Sequence, residues 1–230
     1  MTTGAIWHPS PNFGDRRGGA TPDMVVLHYT AMRSAIAARD WLCDPASDVS
    51  CHFVIAEDGR LWQLVREADR AWHAGAGAWG ALRDVNSHSI GIELANTGRQ
   101  PFAAPQMAVL EDLLRGICAR WKISAERVVG HSDTALGRKI DPGARFDWRR
   151  LAIRGLAIWP EARSTALEQG QFLNDCRRFG YDCPPGREDE ALNAVRLRFR
   201  PWAAGPLDAV DCAIMADLAA RHPCRDAVTT

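Results

Sequence analysis

Apolar positions recur along this chain in two rhythms. Short apolar runs predict buried strands at Met24-Val25-Val26-Leu27-His28 and at Ser89-Ile90-Gly91-Ile92-Glu93-Leu94. Val128-Val129-Gly130-His131 predicts a third, which ends in a loop. Cys51 to Ile55 and Leu61 to Val65 predict two more strands, joined through the hairpin pair Asp58-Gly59. The other rhythm steps by three or four residues. Met107, Leu110, Leu114, Ile117 and Trp121 follow it, so Pro105 to Trp121 reads as a helix with proline in its first turn. Ser34 to Cys43 reads as a shorter helix with Ser34 as N-cap and Ile36, Trp41 and Leu42 as its apolar positions. Residues 4–23 are rich in Gly, Pro and Arg and predict an irregular leader. Strands interspersed with helices imply an α/β domain with a sheet at its centre.

The pattern changes after Trp159-Pro160-Glu161, and a boundary is placed there, between residues 1–163 and 166–225. The second segment reads as all-helical. Leu167, Phe172, Leu173, Cys176 and Phe179 mark one amphipathic helix that stops at Gly180. Leu192, Val195 and Phe199 mark a second, and Ala209 to Arg221 a third, with Val210, Ile214, Met215 and Leu218. A three-helix unit of this size is small but can fold, especially when docked on a neighbour.

Composition narrows the function. Hydrophobic residues make up 47% and charged residues 24% of the 230, the balance of a soluble globular protein. Lys+Arg and Asp+Glu both number 28, so the basic excess of a general nucleic-acid binder is missing. The seven cysteines are odd in number and form no CxxC pair, which predicts buried thiols in a reducing compartment. No stretch is long and apolar enough to span a membrane. Met1 to Phe13 lacks the charged start and apolar core of a signal peptide and holds no lipid-attachment cysteine. The expected location is therefore cytoplasmic, or periplasmic if an export segment has been removed.

His28, His131 and Asp141 are the first candidates for chemistry. Catalytic zinc takes three protein ligands from imidazole nitrogen and carboxylate oxygen and keeps one position open. His28 and His131 end predicted strands, which hold side chains rigidly, and Asp141 follows in a loop. The spacing alone is not diagnostic, and the HExxH helix of common zinc proteases is absent. A Cys51–His52 dyad is disfavoured because strand neighbours point to opposite faces.

Several stretches resemble, in order, the N-acetylmuramoyl-L-alanine amidase family of AmpD- and AmiD-type enzymes, to which the peptidoglycan recognition proteins are related. They are Val25 to Tyr29, Ser50-Cys51-His52-Phe53, Ala71-Trp72-His73-Ala74-Gly75, Asn86 to Leu94, and Gly130-His131-Ser132-Asp133 continuing through Gly137-Arg138-Lys139-Ile140-Asp141-Pro142-Gly143. The resemblance implies an α/β fold with a mixed central sheet flanked by helices. It implies zinc ligands at His28, His131 and Asp141. It implies that Glu93 helps to activate water and that Lys139 helps to stabilise an oxyanion. Lys139 lies two residues before Asp141, so in an extended loop both face one side.

The resemblance also makes His73 a candidate substrate contact, able to hydrogen-bond a peptide carbonyl, with His52 a second-tier candidate. Trp72 either stacks on a sugar or simply packs, and Arg138 either pairs with a substrate carboxylate or is surface charge. Leu173-Asn174-Asp175-Cys176, Phe179-Gly180-Tyr181, Ala194 to Phe199 and Gly205-Pro206-Leu207-Asp208 resemble a three-helix peptidoglycan-binding domain; the alternative is a helical cap that binds nothing. The implied reaction is zinc-dependent hydrolysis of the amide between N-acetylmuramic or 1,6-anhydro-N-acetylmuramic acid and L-alanine, with peptidoglycan fragments as partners. A non-catalytic peptidoglycan sensor and a zinc peptidase are the alternatives.

Overall fold

The computed structural model describes residues 4–161 and 169–224. Its strands are β1 (Ile6–Trp7), β2 (Phe13–Gly14), β3 (Met24–Tyr29), β4 (Phe53–Ile55), β5 (Leu61–Gln63), β6 (Arg70–Ala71), β7 (Ser89–Leu94) and β8 (Val128–Gly130). Its helices are α1 (Ala35–Cys43), α2 (Val85–His88), α3 (Ala104–Trp121), α4 (His131–Thr134), α5 (Trp148–Ile153), α6 (Gln169–Phe179), α7 (Glu188–Phe199) and α8 (Ala209–Arg221). The sheet runs β1-β5-β4-β7-β3-β8. Only the β4–β5 hairpin is antiparallel; the other neighbours pair in parallel, so the sheet is mixed as expected. The leader is less irregular than its composition predicts. It adds β1 to the edge at β5, and β2 pairs separately with β6.

Side-chain alternation divides the work between the two faces of the sheet. On one face Val25, Leu27, Ile90, Ile92 and Leu94 pack against Met107, Leu110, Leu114 and Ile117 of α3. On the other, Met24, Val26 and Val129 share a core cluster with Phe172, Phe179, Tyr181, Val195, Phe199 and Met215 of the helical unit. The three helices are thus docked on the sheet and bury apolar residues against it. Gly180 follows α6 at a φ of 133°, and a Cβ there would stand 2.6 Å from Cε2 of Trp79. Only glycine lets that indole cross the end of the helix. Leu167, expected to open the first of these helices, lies outside the described residues.

Local signals hold up with small shifts. The Ser34 side chain caps α1 by accepting from the Ala37 N–H. Ile36 and Trp41 do not face the core, however; both are exposed, and only Leu42 of the expected apolar trio is buried. His131 does not end a strand: β8 stops at Gly130, and His131 opens the single turn of α4. Cys51, Cys176, Cys183 and Cys212 are buried. Among the described residues, no helix is long and apolar enough to cross a membrane.

Candidate metal centre and cleft

The site-bearing face of the sheet continues past its apolar part. Two residues beyond Val26 comes His28, and its Cα partner on β7 is Glu93. Both stand at the carboxyl ends of parallel strands, where α/β sheets bind ligands. His131 arrives from the turn after β8, and Asp141 from the loop that follows. His28 Nδ1 lies 2.9 Å from Asp141 Oδ2 and 3.1 Å from His131 Nδ1, and His131 Nδ1 lies 3.1 Å from Asp141 Oδ2. All three residues are buried.

The proton positions around this triangle follow from its partners. The Val85 carbonyl only accepts, so the Ser89 hydroxyl, 2.6 Å away, donates to it. Ser89 Oγ then accepts from His73 Nε2 at 3.1 Å, which leaves a lone pair on His73 Nδ1. That atom lies 3.0 Å from His28 Nε2, so His28 carries its proton there and turns an unprotonated Nδ1 into the triangle. His131 Nε2 donates to the Ala74 carbonyl at 3.0 Å, so its Nδ1 is unprotonated too. Burial, reinforced by His131, pushes the His28 imidazole down to about 4, which keeps it neutral. Two nitrogen lone pairs and a carboxylate oxygen therefore converge with no proton of their own between them. A cation satisfies them. A tetrahedral centre with ligands at about 2.0–2.1 Å has edges of about 3.3 Å, close to the observed triangle. The residues present fit a zinc ion.

His73 is held from behind as well. Its ring lies on Gly91, where a Cβ would stand 2.4 Å from His73 Cγ. Asn86 Oδ1 accepts from the backbone N–H groups of His73 and Ala74 at 3.0 and 2.8 Å, fixing the segment that supports both histidines of the triangle. Both ring nitrogens of His73 have partners within the protein, His28 Nε2 and Ser89 Oγ, and its ring also lines the cleft over the triangle. His52 is a brace: its Nδ1 accepts from the Gly91 N–H at 3.0 Å. Burial, with Arg16 adding to it, holds its imidazole down to about 3.

A cleft of about 350 Å³ opens over the triangle, lined by Glu93, Lys139, Arg138, Trp72, Trp41 and Tyr29 among others. Glu93 Oε2 is buried and has no hydrogen-bond partner. Burial pushes its carboxyl up to about 8; Asp141 adds to the shift and Lys139 opposes it. Lys139 is exposed at the rim. The loop is not cleanly alternating, because Ile140 lines the cleft along with Lys139 and Asp141. Arg138 donates through Nη2 to the carbonyls of Ala74, at 2.9 Å, and Ala76. It thereby pins the segment that carries the His131 acceptor. Trp72 is half-buried on the wall. Sequence reasoning missed Trp41, Tyr29 and the Ser89–His73 relay. Trp41 carried a signal in hindsight, as an apolar helix position with no core to meet.

The profile for N-acetylmuramoyl-L-alanine amidase matches residues 18–144, which contain every residue of the triangle. The chain belongs to this family. It is 35% identical over 211 residues to the N-acetylmuramoyl-L-alanine amidase AmiD of Escherichia coli (strain K12), covering 77% of this chain and 75% of AmiD. It is 44% identical over 159 residues to the 1,6-anhydro-N-acetylmuramyl-L-alanine amidase AmpD of Haemophilus influenzae, covering 61% of this chain and 86% of AmpD. The structure of E. coli AmiD in complex with its substrate anhydro-N-acetylmuramic acid-L-Ala-D-γ-Glu-L-Lys superposes with a TM-score of 0.80 at 32% identity. That match covers 92% of this chain and 98% of the chain in that structure, so the likeness extends into the helical unit of this amidase-family protein.

Proposed function

We propose that this protein hydrolyses the amide bond between N-acetylmuramic or 1,6-anhydro-N-acetylmuramic acid and the L-alanine of the peptidoglycan stem peptide, using zinc held by His28, His131 and Asp141. The observation that carries the reading is the triangle of lone pairs, oriented from outside and lacking a proton, beneath a cleft that contains an unpartnered carboxyl oxygen. Zinc bound there supplies Lewis-acid chemistry at neutral pH. Glu93 Oε2 receives the proton of the attacking water and delivers it to the leaving amine of L-alanine. A carboxyl lifted to about 8 by burial is poised for proton transfer near neutrality. The Lys139 ammonium stabilises the negative charge that develops on the former carbonyl oxygen.

The rest of the cleft serves binding. Trp72 and Trp41 offer apolar faces suited to a sugar ring or a lactyl group. Arg138 holds the wall in place through Nη2 and lines the cleft, where its guanidinium suits a substrate carboxylate. The chemistry resides in residues 1–163. Recycling of anhydro-muropeptides in the cytoplasm belongs to the same proposal.

Digestion of purified anhydro-muropeptide, followed by mass, tests the reading. Free stem peptide plus anhydro-sugar, lost on chelation and restored by zinc, is the expected result. Cleavage between amino acids makes the protein a peptidase instead. Tight binding without cleavage makes it a sensor.

A further inference from the structure

We infer that Arg198 and Tyr181, both in the helical unit, are positioning residues for His131, acting through Asp133. The inference rests on the proposed metal site. It gives the helical unit a part in building that site.

His131 needs such support. The strand before it ends at Gly130, and α4 is one turn long, so neither element fixes the imidazole by itself. Asp133 lies on that same turn and is fully buried. Its Oδ2 accepts from the Gly130 N–H at 2.7 Å and from Arg198 Nη1 at 2.7 Å. Its Oδ1 accepts from the Tyr181 hydroxyl at 2.9 Å. The same guanidinium donates through Nη2 to the Val128 carbonyl at 3.0 Å. Arg198 therefore grips the chain on both sides of His131, at the strand before it and at the carboxylate after it. Its guanidinium carbon also sits 4.4 Å from the centroid of the Trp148 ring, which blocks sliding. On the far side of α4, Arg187 Nη2 donates to the Leu136 carbonyl at 2.7 Å.

A docking contact would serve anywhere on the interface. This one converges on the turn that carries a ligand. A buried carboxylate held by one guanidinium N–H, a hydroxyl and a backbone N–H has a single low-energy place, and so has the imidazole two residues before it. Helix α7 supplies a matched control. Arg196 is 8% exposed against 2% for Arg198, and it pairs with Asp211 at 2.6 Å entirely inside the helical unit.

The test uses the full chain as wild type, Arg198→Met, Tyr181→Phe and Arg196→Met. Zinc affinity is read by competition with a chromogenic chelator, stability by melting of the chelated protein, and turnover on anhydro-muropeptide as separate kcat and KM. Arg198→Met weakens zinc about ten- to a hundredfold, the range for outer partners of metal ligands, and Tyr181→Phe weakens it several-fold. In both, kcat falls while KM holds. Arg196→Met melts at a lower temperature yet binds zinc within about twofold of wild type. If Arg198→Met does not fold, Tyr181→Phe decides, since it removes one hydroxyl only. Wild-type zinc affinity in the Tyr181 and Arg198 variants, with melting lowered as in Arg196→Met, reduces the contact to docking and overturns the inference. A wild type that binds no zinc overturns the metal site itself, a distinguishable result.

Discussion

His73 Nδ1 accepts a hydrogen bond from His28 Nε2 across 3.0 Å, and this bond leaves the His28 nitrogen that faces the triangle without a proton. The order of protons runs inward from the Val85 carbonyl through Ser89 and His73, so the tautomer of His28 is set by a backbone group three residues' contacts away. His73→Phe keeps the ring volume and removes both nitrogens. Zinc affinity is expected to fall about ten- to a hundredfold with all three ligands still present. Chelator competition measures it, and an unchanged affinity would strip His73 of its orienting role.

Gly91 makes room for that ring. Gly91→Ala drives a methyl to 2.4 Å from His73 Cγ in the middle of the central sheet. The expected cost is about 1–3 kcal/mol by urea denaturation, with a loss of zinc affinity in the same variant because the displaced ring no longer meets His28. Wild-type stability would mean that the ring moves aside freely.

Strands β3, β4, β5, β7 and β8 and the long helix were legible from their apolar patterns, whereas the two-residue strands β1, β2 and β6 are too short to show one. Ser89 to Leu94 alternates apolar and small or polar residues, and α3 repeats at helical spacing. The triangle was legible through the residue types that resemble the amidase family. The relay behind it was not. His73 reads as a cleft residue from its neighbours in sequence and does line the cleft, but only the fold brings Ser89 and Val85 to its far nitrogen. The same holds for Asp133 and Arg198, which meet across 65 positions of chain. Ile36 and Trp41 were misread for a related reason: helical spacing identifies a stripe without saying whether a core or a cleft lies beside it.

His28→Ala and Asp141→Ala each remove a corner of the triangle. Both are expected to purify without stoichiometric zinc and to lose at least about a thousandfold in kcat/KM, because catalytic zinc needs its full ligand set. Metal analysis beside turnover is the check. A fully active His28→Ala protein would remove the metal from the reaction.

Lys139 stands at the rim and contributes no ligand atom to the triangle. Lys139→Met is expected to lower kcat about a hundredfold, the scale for losing one donor to an oxyanion, while zinc content stays at the wild-type level. A parallel loss of zinc would assign the lysine to holding the loop of Asp141.

Glu93 gives a prediction whose sign separates it from the histidines. Its carboxyl is pushed from the ordinary 4.5 up to about 8 by burial in the metal-free protein. Between those values the folded protein holds a proton that the unfolded chain has released. Stability contributed at this position is therefore present below about pH 4.5 and is lost as pH rises towards 8. His28, pushed down to about 4, works in the opposite sense, gaining stability as pH rises towards 6.5. Glu93→Gln removes the first effect and leaves the second. Urea denaturation of the chelated proteins across this range should show the variant gaining on the wild type as pH rises. In the zinc-loaded form the variant should keep its metal and lose about a hundred- to ten-thousandfold in kcat, the range for general acid–base catalysis. A variant that parallels the wild type at every pH would place the carboxyl in water; normal turnover would take Glu93 out of the proton transfer altogether.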